Sequence, residues 1–155
     1  MATLPNMKHI ERHHSQHAPA QLFDLICDVE RYPGIVPWVV AARILRRNER
    51  TMWVEMTMGT RLLRKQFITV AELNRPRRVE INSYDPIFER FQQIWTLTPG
   101  SGGGTDVEYR VQVKCRSRLL QALLEASFAE RARAMVKAYI RWARRQYGAP
   151  TQLVG

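Results

Sequence analysis

The chain divides into blocks of different hydrophobic period. Behind Ala18-Pro19, the residues Leu22, Phe23, Leu25 and Ile26 recur at helical spacing. Proline suits a first helical turn, so a short helix is predicted from there to about Asp28. Before it, 8–15 reads as a polar strand. After it, Tyr32-Pro33-Gly34 and Pro37 limit 31–36 to a short turn. From Val39 to Cys115 the period is two. Met52, Val54, Met56 and Met58 alternate with Trp53, Glu55 and Thr57. Phe91, Gln93, Trp95 and Leu97 share a face, as do Val107, Tyr109, Val111, Val113 and Cys115. Strands are predicted over 39–46, 52–58, 62–73, 78–84, 90–98 and 106–115. Their connections are short: 47–50, Gly59-Thr60, Asn74-Arg75-Pro76, Asp85-Pro86 and the glycine-rich 99–104. Parallel strands need long crossovers, so the sheet is an antiparallel meander.

The last block, 116–147, contains no Gly or Pro and reads as one uninterrupted helix. Leu120, Leu124, Phe128, Ala132, Met135, Tyr139 and Trp142 form its apolar face, widened by Leu123, Val136 and Ile140. Arg131, Lys137, Arg141 and Arg144 are assigned to the opposite side. Without this helix the sheet has no cover. The expected fold class is therefore α+β: a curved antiparallel sheet wrapped around a long C-terminal helix, with an apolar space between the layers. A chain of 155 residues is most simply one domain, here 1–150, with 151–155 as a disordered tail.

Charge changes the picture. The 24 Lys+Arg outweigh 14 Asp+Glu, a net +10 at pH 7. Basic residues cluster at Arg43-Arg46-Arg47-Arg50, at Arg61-Arg64-Lys65, at Arg75-Arg77-Arg78 and at Arg141-Arg144-Arg145. Such a surface attracts lipid head groups, RNA or acidic proteins, and the sequence does not separate lipid phosphate from RNA phosphate. Cys27 and Cys115 lack metal-like spacing and read as reduced thiols. No apolar run reaches the roughly 20 residues of a membrane span, and the N-terminus lacks a secretory signal. A cytoplasmic protein is expected, peripheral on the inner face of a bacterial inner membrane.

Candidate chemistry is sparse. His9, Glu11 and His13 would share one face of a strand, a spacing that could bind metal. The reading adopted is an exposed polar strand with no metal. Glu55, Glu72, Glu80 and Glu89 fall mostly on solvent faces, and no nucleophile stands beside a base. No catalysis is expected. For a cyclase-type enzyme, Tyr109 or Tyr139 would be the inward proton donor. The inward residues are soft, rich in methionine and aromatics, which suits an adaptable pocket and an ordinary core equally.

The segment Asp28-Val29-Glu30-Arg31-Tyr32-Pro33-Gly34-Ile35-Val36-Pro37-Trp38 resembles the DVxxYPxFxPW signature of the coenzyme Q-binding START-domain family. Asp85-Pro86-Ile87-Phe88 with Phe91 and Trp95 is similar to that family's GPFxxLxxxW stretch. Met135-Val136-Lys137-Ala138-Tyr139, Arg144 and Tyr147-Gly148 resemble its helix end. The resemblance spans about 7–148 and implies a helix-grip fold that binds ubiquinone or a related isoprenoid lipid as ligand. It implies support of respiratory electron transport, no required cofactor and no catalysis. The family also includes ribosome-association toxins, so the ribosome is an alternative partner, and distant relatives are polyketide cyclases or aromatases. This chain departs from the family at Ile35, Asp85 and Gln93, the last standing where a small residue is common. Tyr32, Pro37 and Trp38 are expected to border the mouth of the cavity. Val54, Met56, Met58, Phe67, Phe91, Trp95, Phe128, Met135 and Tyr139 are expected to line it. Arg141, Arg144 and Arg145 are expected to dock on an anionic surface.

Overall fold

The computed structural model describes residues 4–59 and 63–148. The element order is β1 (Met7–Ser15), α1 (Pro19–Cys27), a 3₁₀ turn (Val29–Gly34), β2 (Val39–Arg47), β3 (Thr51–Gly59), β4 (Arg64–Asn74), β5 (Arg78–Asn82), β6 (Phe88–Pro99), β7 (Thr105–Cys115), α2 (Arg118–Glu125) and α3 (Phe128–Tyr147). The seven strands form one antiparallel sheet in the order β1-β7-β6-β5-β4-β3-β2. Consecutive strands from β2 to β7 pair as hairpins. The first strand returns to the far edge of β7, from Met7 opposite Val113 to Ser15 opposite Thr105. Register shifts at Val39/Ala41, Ile44/Arg46 and Phe88/Arg90 interrupt the ladders. Such bulges bend strands and increase their twist, which suits a curved sheet.

Alternation places the apolar sets inward as expected. Met52, Val54 and Met56 are buried, as are Phe91, Trp95 and Leu97, and every second residue from Val107 to Cys115. The sheet, α1 and α3 enclose one core. Its aromatic centre joins three layers. Tyr139 of α3 packs edge-on against Trp95 at 4.8 Å and against Tyr32 at 5.5 Å, and Trp95 lies 4.4 Å from Tyr109. The Tyr32 hydroxyl donates to the Ile26 carbonyl while its ring packs against Tyr139. The 3₁₀ turn is thereby tied to α1 and α3.

Two expectations need correction. The strand expected over 62–73 begins at Arg64, and Leu62 lies outside the described residues, as does the tail 151–155. The helix over 116–147 is broken into α2 and α3 at Ala126-Ser127. Ser127 leaves helical geometry (φ −132°, ψ 15°), and its hydroxyl accepts from Arg131 Nε at 2.9 Å. Serine favours helix ends over interiors, and here the Ser127 carbonyl accepts from the Arg131 backbone N–H to open α3. The other cause lies in α2, whose one buried residue is polar. Gln121 accepts from the Cys115 backbone N–H at 2.9 Å and donates to the Pro5 carbonyl at 2.7 Å. Those bonds hold α2 against the end of β7 and off the axis of α3.

The N-terminal histidines also separate. His9 and Glu11 pair at 2.9 Å on β1, and among the described residues no group of three metal-binding side chains is gathered. His17 is buried instead, its Nε2 donating to the Gly148 carbonyl at 2.9 Å beyond the end of α3.

Candidate ligand cavity

Between the sheet and the helices lies a cavity of about 370 Å³. Its walls come from four places. The end of β3 and start of β4 supply Met58, Gly59, Leu63, Lys65 and Phe67. Strands β6 and β7 supply Phe88, Phe91, Gln93, Tyr109, Val111 and Val113. The broken helix supplies Leu120, Leu123 and Leu124 from α2, and Phe128, Arg131, Ala132 and Met135 from α3. Trp38 and Ile87 complete the rim. The lining is mostly apolar because the inward face of each strand is apolar and because α2 turns its leucines over the opening. Leu63 and Leu123 remain 38% and 50% exposed, and Leu119 beside them 71%. These leucines mark the mouth. Gly59 shapes it too. Its φ is +141°, and an added Cβ would collide with the Leu63 carbonyl, so only glycine fits.

Polar groups in the cavity sort by depth. Near the mouth stand Lys65 and Arg131, and the Arg131 guanidinium lies 5.7 Å from the centre of the Trp38 ring, within cation–π reach. Deep inside stand Gln93 and Tyr109, both buried. Burial pushes the Tyr109 hydroxyl well above its ordinary pKa, so it stays a protonated donor. The polar ends of Gln93 and Tyr109 are not among the sealed, partnerless atoms of the described core, which are Asn6 Oδ1 and Trp142 Nε1, but border the cavity.

The residues expected at the site fall into several places. Trp38, Met58, Phe67, Phe91, Phe128 and Met135 lie on the large cavity. Val54 and Met56 line an adjoining inner pocket of about 30 Å³, together with Tyr32. Trp95 and Tyr139 border a separate void of about 10 Å³ beside α1. Tyr32 is therefore part of the core, not the mouth, because its hydroxyl is satisfied at Ile26. Pro37 is exposed and absent from the lining. Arg141, Arg144 and Arg145 are exposed on the outer side of α3. Arg131 is the opposite case. It was assigned to the outer face, yet it lines the cavity, since it follows Phe128 by three residues and precedes Met135 by four. Lys65 is visible in the sequence only as part of a basic cluster, and the place of Leu63 and Lys65 at the mouth depends on where a hairpin ends.

Comparison with known proteins agrees with this geometry. The aromatase/cyclase of Streptomyces sp. R1128 superposes with a TM-score of 0.79 over 96% of this chain and 99% of its own, at 14% identity, a likeness of fold alone. The ribosome association toxin RatA of Pseudomonas aeruginosa is 29% identical over 90% of this chain and 98% of its own length. The mitochondrial coenzyme Q-binding protein COQ10 homolog B of Xenopus laevis is 26% identical over 83% of this chain and 54% of its own length. The sequence pattern of the family described as polyketide cyclase/dehydrase and lipid transport matches residues 15–140, and the protein belongs to that family.

Proposed function

We propose that this protein binds a neutral isoprenoid lipid, ubiquinone or a close relative, in the cavity and carries it to respiratory electron transport without transforming it. The observation that carries the reading is the cavity itself. Its volume of about 370 Å³ falls in the roughly 300–1,000 Å³ range of small-molecule sites, and its walls are mostly apolar. Each ligand CH₂ buried there contributes about 0.8 kcal/mol, so a tail binds with little polar recognition. A long polyprenyl tail exceeds the space and would leave past Leu63 and Leu123. Among the described residues the lining holds one phenol, one amide and two cations, but no carboxylate, histidine or cysteine to serve as a base, which favours carriage over catalysis. The name of the Xenopus relative points the same way.

The test is mass spectrometry of a solvent extract from protein purified out of quinone-containing cells. Ala132 is buried and faces the cavity from α3, so Ala132→Phe places a ring in the open space, and a melting curve checks that the variant folds. Quinone near one equivalent in the wild type and absent from a folded Ala132→Phe variant is the expected result. Equal lipid in both would remove the cavity as its site.

A second reading has its own support. The Pseudomonas relative, matched over 98% of its length, is named for ribosome association, and the exposed arginines of α3 suit RNA phosphate as well as lipid phosphate. The two readings use different surfaces. Co-sedimentation with ribosomal subunits at low salt, unchanged in Ala132→Phe, would support it.

A further inference from the structure

The two ends of the cavity differ in chemistry, and the difference orients a ligand. The mouth carries the two cations, Lys65 and Arg131. The inner end carries Gln93, 9% exposed, and Tyr109, 2% exposed. In the β6–β7 ladder Gln93 stands opposite Val111 and Trp95 opposite Tyr109. Gln93 and Tyr109 are thus diagonal inward neighbours, about 7–8 Å apart at their backbones, within reach of one small group. Buried polar side chains are as a rule hydrogen-bonded. The polar ends of these two border the open space of the cavity, where a ligand can meet them.

We propose that the ligand enters polar end first, with the Gln93 amide and the Tyr109 hydroxyl donating to the carbonyl oxygens of a neutral quinone-type ring and the tail lying toward the mouth. This rests on the cavity being a lipid site, as argued above. The opposite orientation would cover both donors with hydrocarbon and leave them unpaired. Charge sharpens the selection. A carboxylate placed at the inner end would meet neutral donors and no counter-ion, and burying an unpaired charge is strongly unfavourable. A fatty acid would instead lie head outward, against Lys65 and Arg131. The inner end therefore selects neutral carbonyl heads over acids.

The experiment uses a decyl-tailed benzoquinone analogue of ubiquinone and decylbenzene, which has the tail and a ring but no oxygens. Affinities are measured by calorimetry for the wild type, Gln93→Met and Tyr109→Phe, with melting curves to establish folding. Each variant is expected to bind the quinone roughly 3- to 10-fold more weakly, the effect of one hydrogen bond, with decylbenzene unaffected. Tyr109→Phe keeps its ring against Trp95, so it carries the test alone if Gln93→Met does not fold. Unchanged quinone affinity in a folded variant would overturn the inward head while leaving the cavity as the site. Failure of both probes to bind the wild type would instead remove the lipid reading itself.

Discussion

At the scale of single residues, burial sets the acid–base behaviour of the core. Tyr32, Tyr109 and Tyr139 hold their protons far above the ordinary range, chiefly because an ionised phenol there would lose its hydration. The same cause pushes the Cys27 thiol up to about 12 and that of Cys115 to about 11. Each folded pKa lies above its unfolded value, so the unfolded chain releases these protons first as pH rises. Their contribution to stability is whole below about pH 8.5, where an unfolded thiol begins to titrate, and declines as pH climbs through the unfolded and then the folded values. An alkaline titration followed by tyrosinate absorbance and circular dichroism should therefore show three of the five tyrosines ionising only as the fold is lost. Five tyrosinates in a protein still folded would contradict the burial. Residue types were legible in the sequence here, but directions were not. Tyr32 belongs to a recognisable motif, yet nothing in the motif says that its hydroxyl turns to the Ile26 carbonyl and away from solvent. Arg131 has a charge that suggests solvent and a helical position that faces the cavity, and its long stem satisfies both.

At the scale of elements, the strands were legible because one face is buried and the alternation is strict. A one-residue slip would invert every side chain from Val107 to Cys115. The break between α2 and α3 was not legible, since neither Gly nor Pro marks it and the apolar spacing runs through it. It arises where Ser127 leaves helical geometry and where Gln121 bonds to Cys115, six residues back, and to Pro5 at the far end of the chain, contacts that no hydrophobic pattern encodes. These bonds make α2 a separately held cover over the mouth, with Leu120, Leu123 and Leu124 on the cavity. Replacing Gln121 by Leu leaves the buried Cys115 N–H without its side-chain partner, a cost of about 1–3 kcal/mol, while water can satisfy the Pro5 carbonyl at the surface. Hydrogen exchange should then accelerate across 118–125 while α3, held by Tyr139 and Trp142, keeps its protection. Equal acceleration in both helices would mean that they open as one unit, and α2 would lose its standing as an independent cover.

At the scale of the whole molecule, the protein offers an apolar interior and a basic exterior, and salt separates them. No helix among the described residues is long and apolar enough to cross a membrane, and the net +10 charge attracts a phosphate-bearing surface. That attraction is Coulombic and fades as salt shortens its range. Retention of an apolar ligand is driven by burial, which salt does not screen. A ligand present at about 100 times its Kd stabilises the folded state by about 2.7 kcal/mol. For a chain of this length each kcal/mol raises Tm by about 2–4 °C, so saturation with the decyl-tailed quinone should raise it by roughly 5–11 °C. The prediction is a pair of responses measured on one sample series from low to high salt. The quinone-induced rise in Tm persists throughout, while co-sedimentation with anionic vesicles falls away. Arg141→Glu, Arg144→Glu and Arg145→Glu together should weaken the sedimentation and leave the rise in Tm intact. A rise in Tm that vanished with salt would place the quinone on the charged surface. Sedimentation that survived salt would mean that the exposed leucines at the mouth, and not the arginines, hold the protein to the bilayer.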